Sequence, residues 1–315
     1  MAYRLSFDDD VPSSVRACAR EQLAGAVGRL ERAGEDPVAA VHEARKHIKK
    51  TRALLRLARP ALGDAAYRRE NDALRDAGLS LSGTRDADVL VQTAASLAQH
   101  AAGRLPADTF EQLEAALAAE AASGRTGGGA AASVLESALE ALRAAERRVD
   151  AWPLERASWK HVVAGVARAY ERGAKSFGAA RAEPTPELLH AWRKRAKDLW
   201  YHQRLLAPAW PALLGAQAEE AHLLSELLGD DHDLAVLDAR LRDEAAPLAP
   251  AVDAERAELL ALVAHRSEQL RAEATQLGRR VYAESPKAFK RRITRYVRTA
   301  RAERRADEPA LAEPD

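Results

Sequence analysis

The sequence feature that most constrains the fold is a helical pattern of cations that occurs twice. Six residues of the first copy recur without a gap 148 positions later: His42, Arg45, Lys46, Lys49, Arg56 and Pro60 match His190, Arg193, Lys194, Lys197, Arg204 and Pro208. Further along, GTRDADVL at 83–90 is answered by GDDHDLAVL at 229–237, which contains one inserted residue. We therefore predict two related helical halves, packed as bundles around apolar stripes.

Composition favours an all-α fold for both halves. The chain has 315 residues, is 47% hydrophobic and only 5% aromatic, and is rich in Ala, Leu, Arg and Glu, which are common in helices and rarer in strands. Glycine and proline interrupt the helical periodicity at 32–37, 123–133 and 178–187. We place the halves at 1–150 and 151–306 of a single domain, and we expect a disordered tail at 307–315.

Three helix starts can be assigned from their capping residues. Asp36, Thr185 and Ser285 each stand directly before a proline. A capping side chain satisfies free backbone amides, and proline suits the first helical position, so each pair predicts the start of a helix.

Positive charge is concentrated on particular helix faces, although the chain is almost neutral. The formal net charge is +1, yet residues 41–60 hold seven Lys or Arg and a single acid, Glu43. At 100° per residue, most of the cations of this segment fall within an arc of about 140°, and Ala44 and Ile48 lie outside it. This cationic face comprises His42, Arg45, Lys46, Lys49, Arg52, Arg56 and Arg59.

Three further helices show the same arrangement. In the second copy, an arc of about 100° holds six polar residues, namely His190, Arg193, Lys194, Lys197, Tyr201 and Arg204. The last helix carries Lys287, Arg291, Arg295 and Arg298 on one face, and a shorter row comprises Arg168, Arg172 and Lys175.

Such rows predict a polyanionic ligand. Like charges at neighbouring turns repel each other, whereas solvated helix faces normally mix signs, so a partner that supplies anions explains the rows. A row of cations along a helix suits a long linear polyanion better than a small metabolite, which needs a compact pocket. Because the rows carry few aromatic platforms or donors to base edges, we predict a ligand that is mostly phosphate, with nucleic acid as the alternative.

The doubled H-x-x-R-x-x-x-[KR] pattern on Arg-rich helices resembles the CHAD family, the conserved histidine α-helical domain. The resemblance spans nearly the whole chain and implies two four-helix-bundle halves around a basic central cleft or channel that binds inorganic polyphosphate, often at polyphosphate granules. It implies ligand contacts from His42, Arg45, Lys49, Lys50 and Arg52, from His190, Arg193, Lys194 and Lys197, and from Arg168, Tyr170, Arg172 and Lys175. Lys49 and Lys50 depart from the arginines common in the family, and Trp200 stands where a basic residue is expected.

The main enzymatic alternative is a metal-dependent phosphohydrolase of the HD type. His232 and Asp233 form a literal HD dipeptide, and further ligands could come from His190, His202, His222 and Asp253. The dipeptide, however, matches Arg85-Asp86 of the first copy after what we read as a glycine turn, and a helix-capping aspartate explains both copies. We therefore expect no catalytic residues, no metal and no cofactor.

The remaining features concern the histidines and the compartment. His42 and His190 stand at the head of their rows, so they are expected to contact phosphate and to strengthen binding below about pH 6.5. Cys18 is the only cysteine, and neither a secretory signal nor a long apolar span is seen. The sequence predicts a cytoplasmic protein without membrane association, located at polyphosphate granules, where granule proteins are possible partners.

Overall fold

The computed structural model describes residues 3–34, 36–81, 85–101, 103–123, 128–243 and 248–307, and within these ranges it contains helices and no strand. The helices are α1 Val11–Glu31, α2 Pro37–Ser80, α3 Arg85–His100, α4 Ala107–Ser123, α5 Gly128–Arg148, α6 Trp159–Ala182, α7 Pro186–Leu206, α8 Pro211–Leu241, α9 Pro250–Ala254, α10 Arg256–Val281 and α11 Pro286–Asp307. Short 3-10 helices, Val149–Ala151 and Ala207–Ala209, follow α5 and α7. The prediction of an all-α fold is confirmed.

The three helix starts predicted from capping are confirmed. The side chain of Asp36 accepts a hydrogen bond from Ala39 N at 3.0 Å, and that of Thr185 accepts one from Leu188 N at 3.3 Å. Ser285 Oγ accepts from Ala288 N at 3.2 Å. In each helix a first-turn amide that would otherwise lack a partner within the helix is satisfied by the residue before the proline.

Glycine marks helix ends less well than the sequence suggests. The predicted connector at 123–133 is shorter, since α5 already begins at Gly128, and residues 124–127 lie outside the described ranges. The predicted turn at Gly229 is wrong, because α8 passes through this residue without a break. Gly63, by contrast, adopts φ 75° and kinks α2, a conformation that favours glycine. Helix α11 continues through Asp307, and the rest of the predicted tail, 308–315, lies outside the described ranges.

The contacts between helices follow a corresponding order in the two halves. In the first half α1 lies against α2 and α5, and α3 pairs with α4. In the second half α6 lies against α7 and α11, and α8 pairs with α10. This order is what an internal duplication would produce, and the duplication itself stays a prediction.

Two hydrophobic clusters form the interior, and each draws residues from both predicted halves. The larger cluster spans α1, α2, α5–α8, the end of α10 and α11, and it contains the buried rings of Trp152, Tyr170 and Trp192. The smaller one joins α3 and α4 to the end of α8 and to α10. In the part of the chain that is described, no helix is both long and apolar enough to cross a membrane.

Gly165 of α6 lies directly against the backbone of α2. A Cβ atom at residue 165 would stand 2.0 Å from the carbonyl oxygen of Leu57 and 2.9 Å from its carbonyl carbon. Because neither backbone can move without separating the two helices, we expect Gly165→Ala to lower the free energy of unfolding by about 3 kcal/mol. Urea denaturation of the wild type and the variant measures this change.

The control for this prediction lies on the same helix. Gly178 is exposed, and a Cβ atom there would meet nothing within 4 Å. Gly178→Ala should therefore raise the free energy of unfolding by about 0.5–1 kcal/mol, because alanine loses less backbone entropy in a helix. Equal stabilities of the two variants would show that α6 and α2 are not in close contact at Gly165.

Candidate anion-binding site

The helices that carry the doubled pattern, α2 and α7, are in direct contact, and we call them the histidine helices. His202 Nε2 on α7 donates a hydrogen bond to the backbone carbonyl of Ala53 on α2 at 2.9 Å. Arg56 of α2 lies 2.7 Å, Nε to Oδ1, from Asp198 of α7. Arg56 of the first copy therefore lies beside the helix that carries the second copy. A basic channel through this region stays a prediction.

One buried carboxylate stands among the cations where the histidine helices meet. Asp198 forms ion pairs with Arg56 and, through a hydrogen bond of 2.9 Å, with Arg195. The Arg56 Nε–H does not point at the carboxylate, so that contact is an ion pair without a hydrogen bond. Burial, and then the positive charge of Arg56, lower the pKa of Arg52, which also donates to Asn71 Oδ1 at 3.1 Å.

A fifth group from α6 completes this set. The pKa of Arg195 is lowered chiefly by burial, and the charges of Arg172 and Arg56 act in the same direction, while Asp198 opposes them. We call Asp198, Arg52, Arg56, Arg172 and Arg195 the Asp198 cluster. Two of its four cations, Arg56 and Arg195, form ion pairs with its single carboxylate, so the cluster carries excess positive charge.

Matched arginines of the two histidine helices make matched contacts. Arg45 Nη1 donates to the backbone carbonyl of Leu81 at 3.1 Å. At positions 148 residues further along, the guanidinium of Arg193 lies over Gly229, where a Cβ atom would stand 2.9 Å from Nη2. Gly229 lies inside α8, and its lack of a side chain leaves the space that the Arg193 guanidinium occupies. Arg45 thus holds the first part of α2 against the end of the same helix, beyond the kink at Gly63, and Arg193 holds α7 against α8.

Residues 3–7 of the N-terminal segment lie in the junction between α2 and α7. Leu5 N donates to Leu205 O at 2.9 Å, and the Tyr3 hydroxyl donates to Lys50 O at 2.7 Å. The Tyr3 ring lies between two cations, 5.9 Å from Lys50 Nζ and 5.8 Å from Arg204 Cζ. Burial, and then the charge of Arg204, lower the pKa of Lys50. This is a second place where cations of the two copies approach each other.

The two repeated histidines are half-buried at the start of their rows. The ring of His190 lies 4.7 Å from that of His232, centroid to centroid. Burial, followed by the charges of His232, Lys194 and Arg193, lowers the pKa of His190. His190 therefore becomes protonated at a lower pH than a free imidazole, whose pKa is about 6.5. Contact of either histidine with phosphate stays a prediction.

His202 is a buried neutral base, and this makes stability depend on pH. Burial lowers its pKa to about 4, below the usual 6.5, so the unfolded chain takes up a proton that the folded chain refuses. The resulting stability is complete above pH 6.5 and is lost as the pH falls toward 4. We expect the free energy of unfolding to fall by about 3 kcal/mol over this window, measured by urea denaturation at several pH values.

The matched variant is His202→Gln, which keeps a donor for the carbonyl of Ala53 but cannot titrate. It should be less stable at neutral pH, and its stability should fall less between pH 6.5 and 4. The explanation fails if the variant retains the full acid dependence of the wild type.

The other predicted site residues occupy several environments. Lys46 forms an ion pair with Glu43, and Lys175 forms one with Glu171. Lys49 and Lys197 are half-buried on the histidine helices. Besides Lys46 and Lys175, the exposed predicted residues are Arg168, Arg172, Lys194, Lys287, Arg291 and Arg295. The last three lie on α11, which packs on α6 and on the 3-10 helix after α7.

Two tyrosines must be removed from the predicted set. Tyr170 is 1% exposed, its ring stacks on Phe289 at 3.9 Å, and its hydroxyl donates to the carbonyl of Glu284 at 3.0 Å. Tyr201 is 5% exposed and packs against Tyr3. Side chains in the core cannot reach a ligand in solvent, so both tyrosines are packing residues of the helices that carry the predicted site.

The residues proposed as ligands in the HD alternative are dispersed, apart from His190 and His232, whose rings are neighbours. His202 is hydrogen-bonded in the core, His222 stacks on Trp200 at 3.9 Å, and Asp253 forms an ion pair with Arg256. Within the described ranges, no three His, Cys, Asp or Glu side chains are grouped so that they could hold a metal ion. His232 lies in the middle of α8, so the helix-cap explanation of His232-Asp233 is also wrong.

The chain matches the sequence model of a known protein family. A sequence model described as the CHAD domain matches residues 17–242, which is most of the chain. The match includes both histidine helices and ends shortly after α8, so it is shorter than the resemblance predicted from the motifs. Residues 3–10, α10 and α11 fall outside it. No curated protein matches the chain.

Proposed function

The chain belongs to the CHAD domain family, and from this premise we propose that it binds inorganic polyphosphate through the facing cations of the histidine helices. Membership of the family is consistent with a role related to polyphosphate. The proposal assigns that role to α2, α7 and the exposed arginines of α6.

The observation that carries the proposal is the excess of cations at the junction of α2 and α7. The Asp198 cluster holds four arginines and one carboxylate, which pairs with Arg56 and Arg195, and Lys50 and Arg204 both approach the ring of Tyr3. Burial lowers the pKa values of Arg52, Arg195 and Lys50, because the loss of solvent makes their charged forms less stable than they are in water. A polyanion would relieve the repulsion between these groups.

The chemistry of the residues favours phosphate. Arginine guanidinium groups can donate two parallel hydrogen bonds to phosphate oxygens, and the lysines Lys49, Lys50 and Lys194 add point charges. Nothing in this arrangement requires bond breaking, so we propose binding without catalysis. Association with polyphosphate granules follows from such binding and is part of the proposal.

A competition assay tests the proposal. The protein is loaded with labelled long-chain polyphosphate at about 150 mM salt, and unlabelled polyphosphate, RNA and duplex DNA compete at matched phosphate concentration. We expect polyphosphate to compete best and the affinity to fall steeply as salt is raised. Stronger competition by RNA or DNA would replace the proposal with nucleic-acid binding. Release of phosphate on addition of Mg²⁺ or Mn²⁺ would contradict a non-catalytic role.

A further inference from the structure

The outer face of α11 carries the longest row of cations without ionic partners in the described part of the chain. Seven of its side chains form no hydrogen bond or ion pair with the other described residues, and all but Arg301 are exposed. They are Lys287, Lys290, Arg291, Arg295, Arg298, Arg301 and Arg305. By helical geometry they occupy an arc of about 140° and a length of about 27 Å.

This row differs from the cations of the histidine helices. There, Lys46 is paired with Glu43, Arg56 with Asp198, and Arg59 with Asp64. On α11 only Arg292 and Arg304 have carboxylate partners, Glu284 and Asp8, and these two arginines lie outside the row. The largest uncompensated charge therefore lies on α11, beyond the region that the family model matches.

Helix α6 separates this row from α2. On one side α6 meets α2 through Gly165, and on another it meets α11 through Tyr170, which stacks on Phe289. Residues 165 and 170 are five positions apart, so their directions differ by about 140° on the helix. The row on α11 and the cations of α2 are thus on different sides of a helix about 10 Å wide. The exposed side chains of Arg168 and Arg172 lie on the α2 side of α6.

We propose that the outer face of α11 is a second polyphosphate-binding surface, which engages chains long enough to reach the histidine helices as well. The inference rests on the proposed function and adds a dependence on chain length. A chain bound at one surface has a high effective concentration at the other, so long chains gain avidity that short ones cannot gain.

The composition of the face favours polyphosphate over other polyanions. The row contains no aromatic side chain on which a base could stack, and the apolar residues Phe289, Ile293 and Val297 are buried on the opposite side of α11. Single-stranded nucleic acids are usually bound with aromatic platforms, and membrane-surface helices insert apolar side chains. A face of Lys and Arg alone fits a ligand that consists only of phosphate.

The test compares two variants with the same loss of charge. The α11 variant is Lys287→Gln, Arg291→Gln, Arg295→Gln and Arg298→Gln. The control variant changes four exposed arginines that have carboxylate partners: Arg75→Gln, Arg143→Gln, Arg147→Gln and Arg242→Gln. Circular dichroism checks that both retain their helices. Affinity is measured for long-chain polyphosphate and for tripolyphosphate, which is too short to reach both surfaces.

We expect the α11 variant to bind long-chain polyphosphate at least about tenfold more weakly than the control variant, with a shallower salt dependence. Its affinity for tripolyphosphate should change by less than about threefold, because the histidine helices are intact. An equal loss for both ligands would mean that α11 is part of one continuous site, and this would overturn the inference.

Other outcomes separate this inference from the proposed function. If the α11 and control variants bind long chains equally, α11 is not a polyphosphate surface, while binding at the histidine helices stands. Duplex DNA and vesicles of equal parts phosphatidylglycerol and phosphatidylcholine are tested in parallel. Selective loss of either ligand in the α11 variant, with polyphosphate binding intact, overturns the inference in favour of that ligand. If the wild type binds no polyphosphate, both proposals fail.

Discussion

Polyphosphate binding should fall by at least about a hundredfold when charge is reversed at two matched positions on each histidine helix. The variant is Arg45→Glu, Lys49→Glu, Arg193→Glu and Lys197→Glu. Each reversal removes a cation that would replace a counterion on the ligand and adds a charge that repels phosphate. Isothermal titration with long-chain polyphosphate measures the loss, and circular dichroism measures whether the helices persist.

Arg45 and Arg193 require a separate control, because both also hold their helices in place. Arg45 donates to Leu81 O, and Arg193 packs over Gly229. The double variant Arg45→Lys and Arg193→Lys keeps the charge and loses the guanidinium contacts, so it should bind with most of the wild-type affinity. Full binding by a folded charge-reversed variant would show that the rows are only solvated surface.

The helices themselves could be predicted because their signals are local. A capping residue before a proline acts within one helical turn, and all three starts assigned in this way are confirmed by hydrogen bonds at Asp36, Thr185 and Ser285. The direct contact of α2 with α7 was not predicted, since the doubled pattern indicated only two related halves around a basic cleft or channel. Local chemistry was therefore sufficient for the fold class and for these helix starts.

The errors arise where a distant residue decides the local structure. Gly229 was interpreted as a turn, but its missing side chain makes room for Arg193 from a neighbouring helix. Tyr170 lies among cations in sequence, yet it is drawn into the core by Phe289 and by the carbonyl of Glu284. A helical wheel gives the direction of a side chain and not what occupies the space there.

Charge compensation was the least predictable property. Counting acids within each row suggested that the rows were almost free of them, but Asp198 of α7 reaches the arginines of both helices. Conversely, α11 was grouped with the histidine helices from its sequence, and the structure places it on the far side of α6, where the cations of its outer face have no carboxylate partner among the described residues. Only the packing of helices shows which charges are balanced.

Asp198 should be among the most sensitive positions in the chain. Its side chain is 10% exposed and lies between Arg56 and Arg195, which are 24% and 21% exposed. Asp198→Asn keeps the shape but leaves two partly buried arginines, Arg56 and Arg195, without their counter-charge, so we expect the free energy of unfolding to fall by about 3–5 kcal/mol. Urea denaturation without ligand measures this loss.

Polyphosphate should restore part of this stability, because it can supply the missing negative charge to the Asp198 cluster. A ligand that binds the folded state stabilises it in proportion to its affinity, and removal of a repelling carboxylate raises that affinity. The midpoint of thermal unfolding should therefore rise more with polyphosphate in Asp198→Asn than in the wild type. Asp238→Asn is the control, since it breaks an exposed ion pair with Arg242 that contributes at most about 1 kcal/mol. If polyphosphate raises the midpoint equally in the two variants, the ligand does not approach Asp198, and the proposed site must lie elsewhere on the molecule.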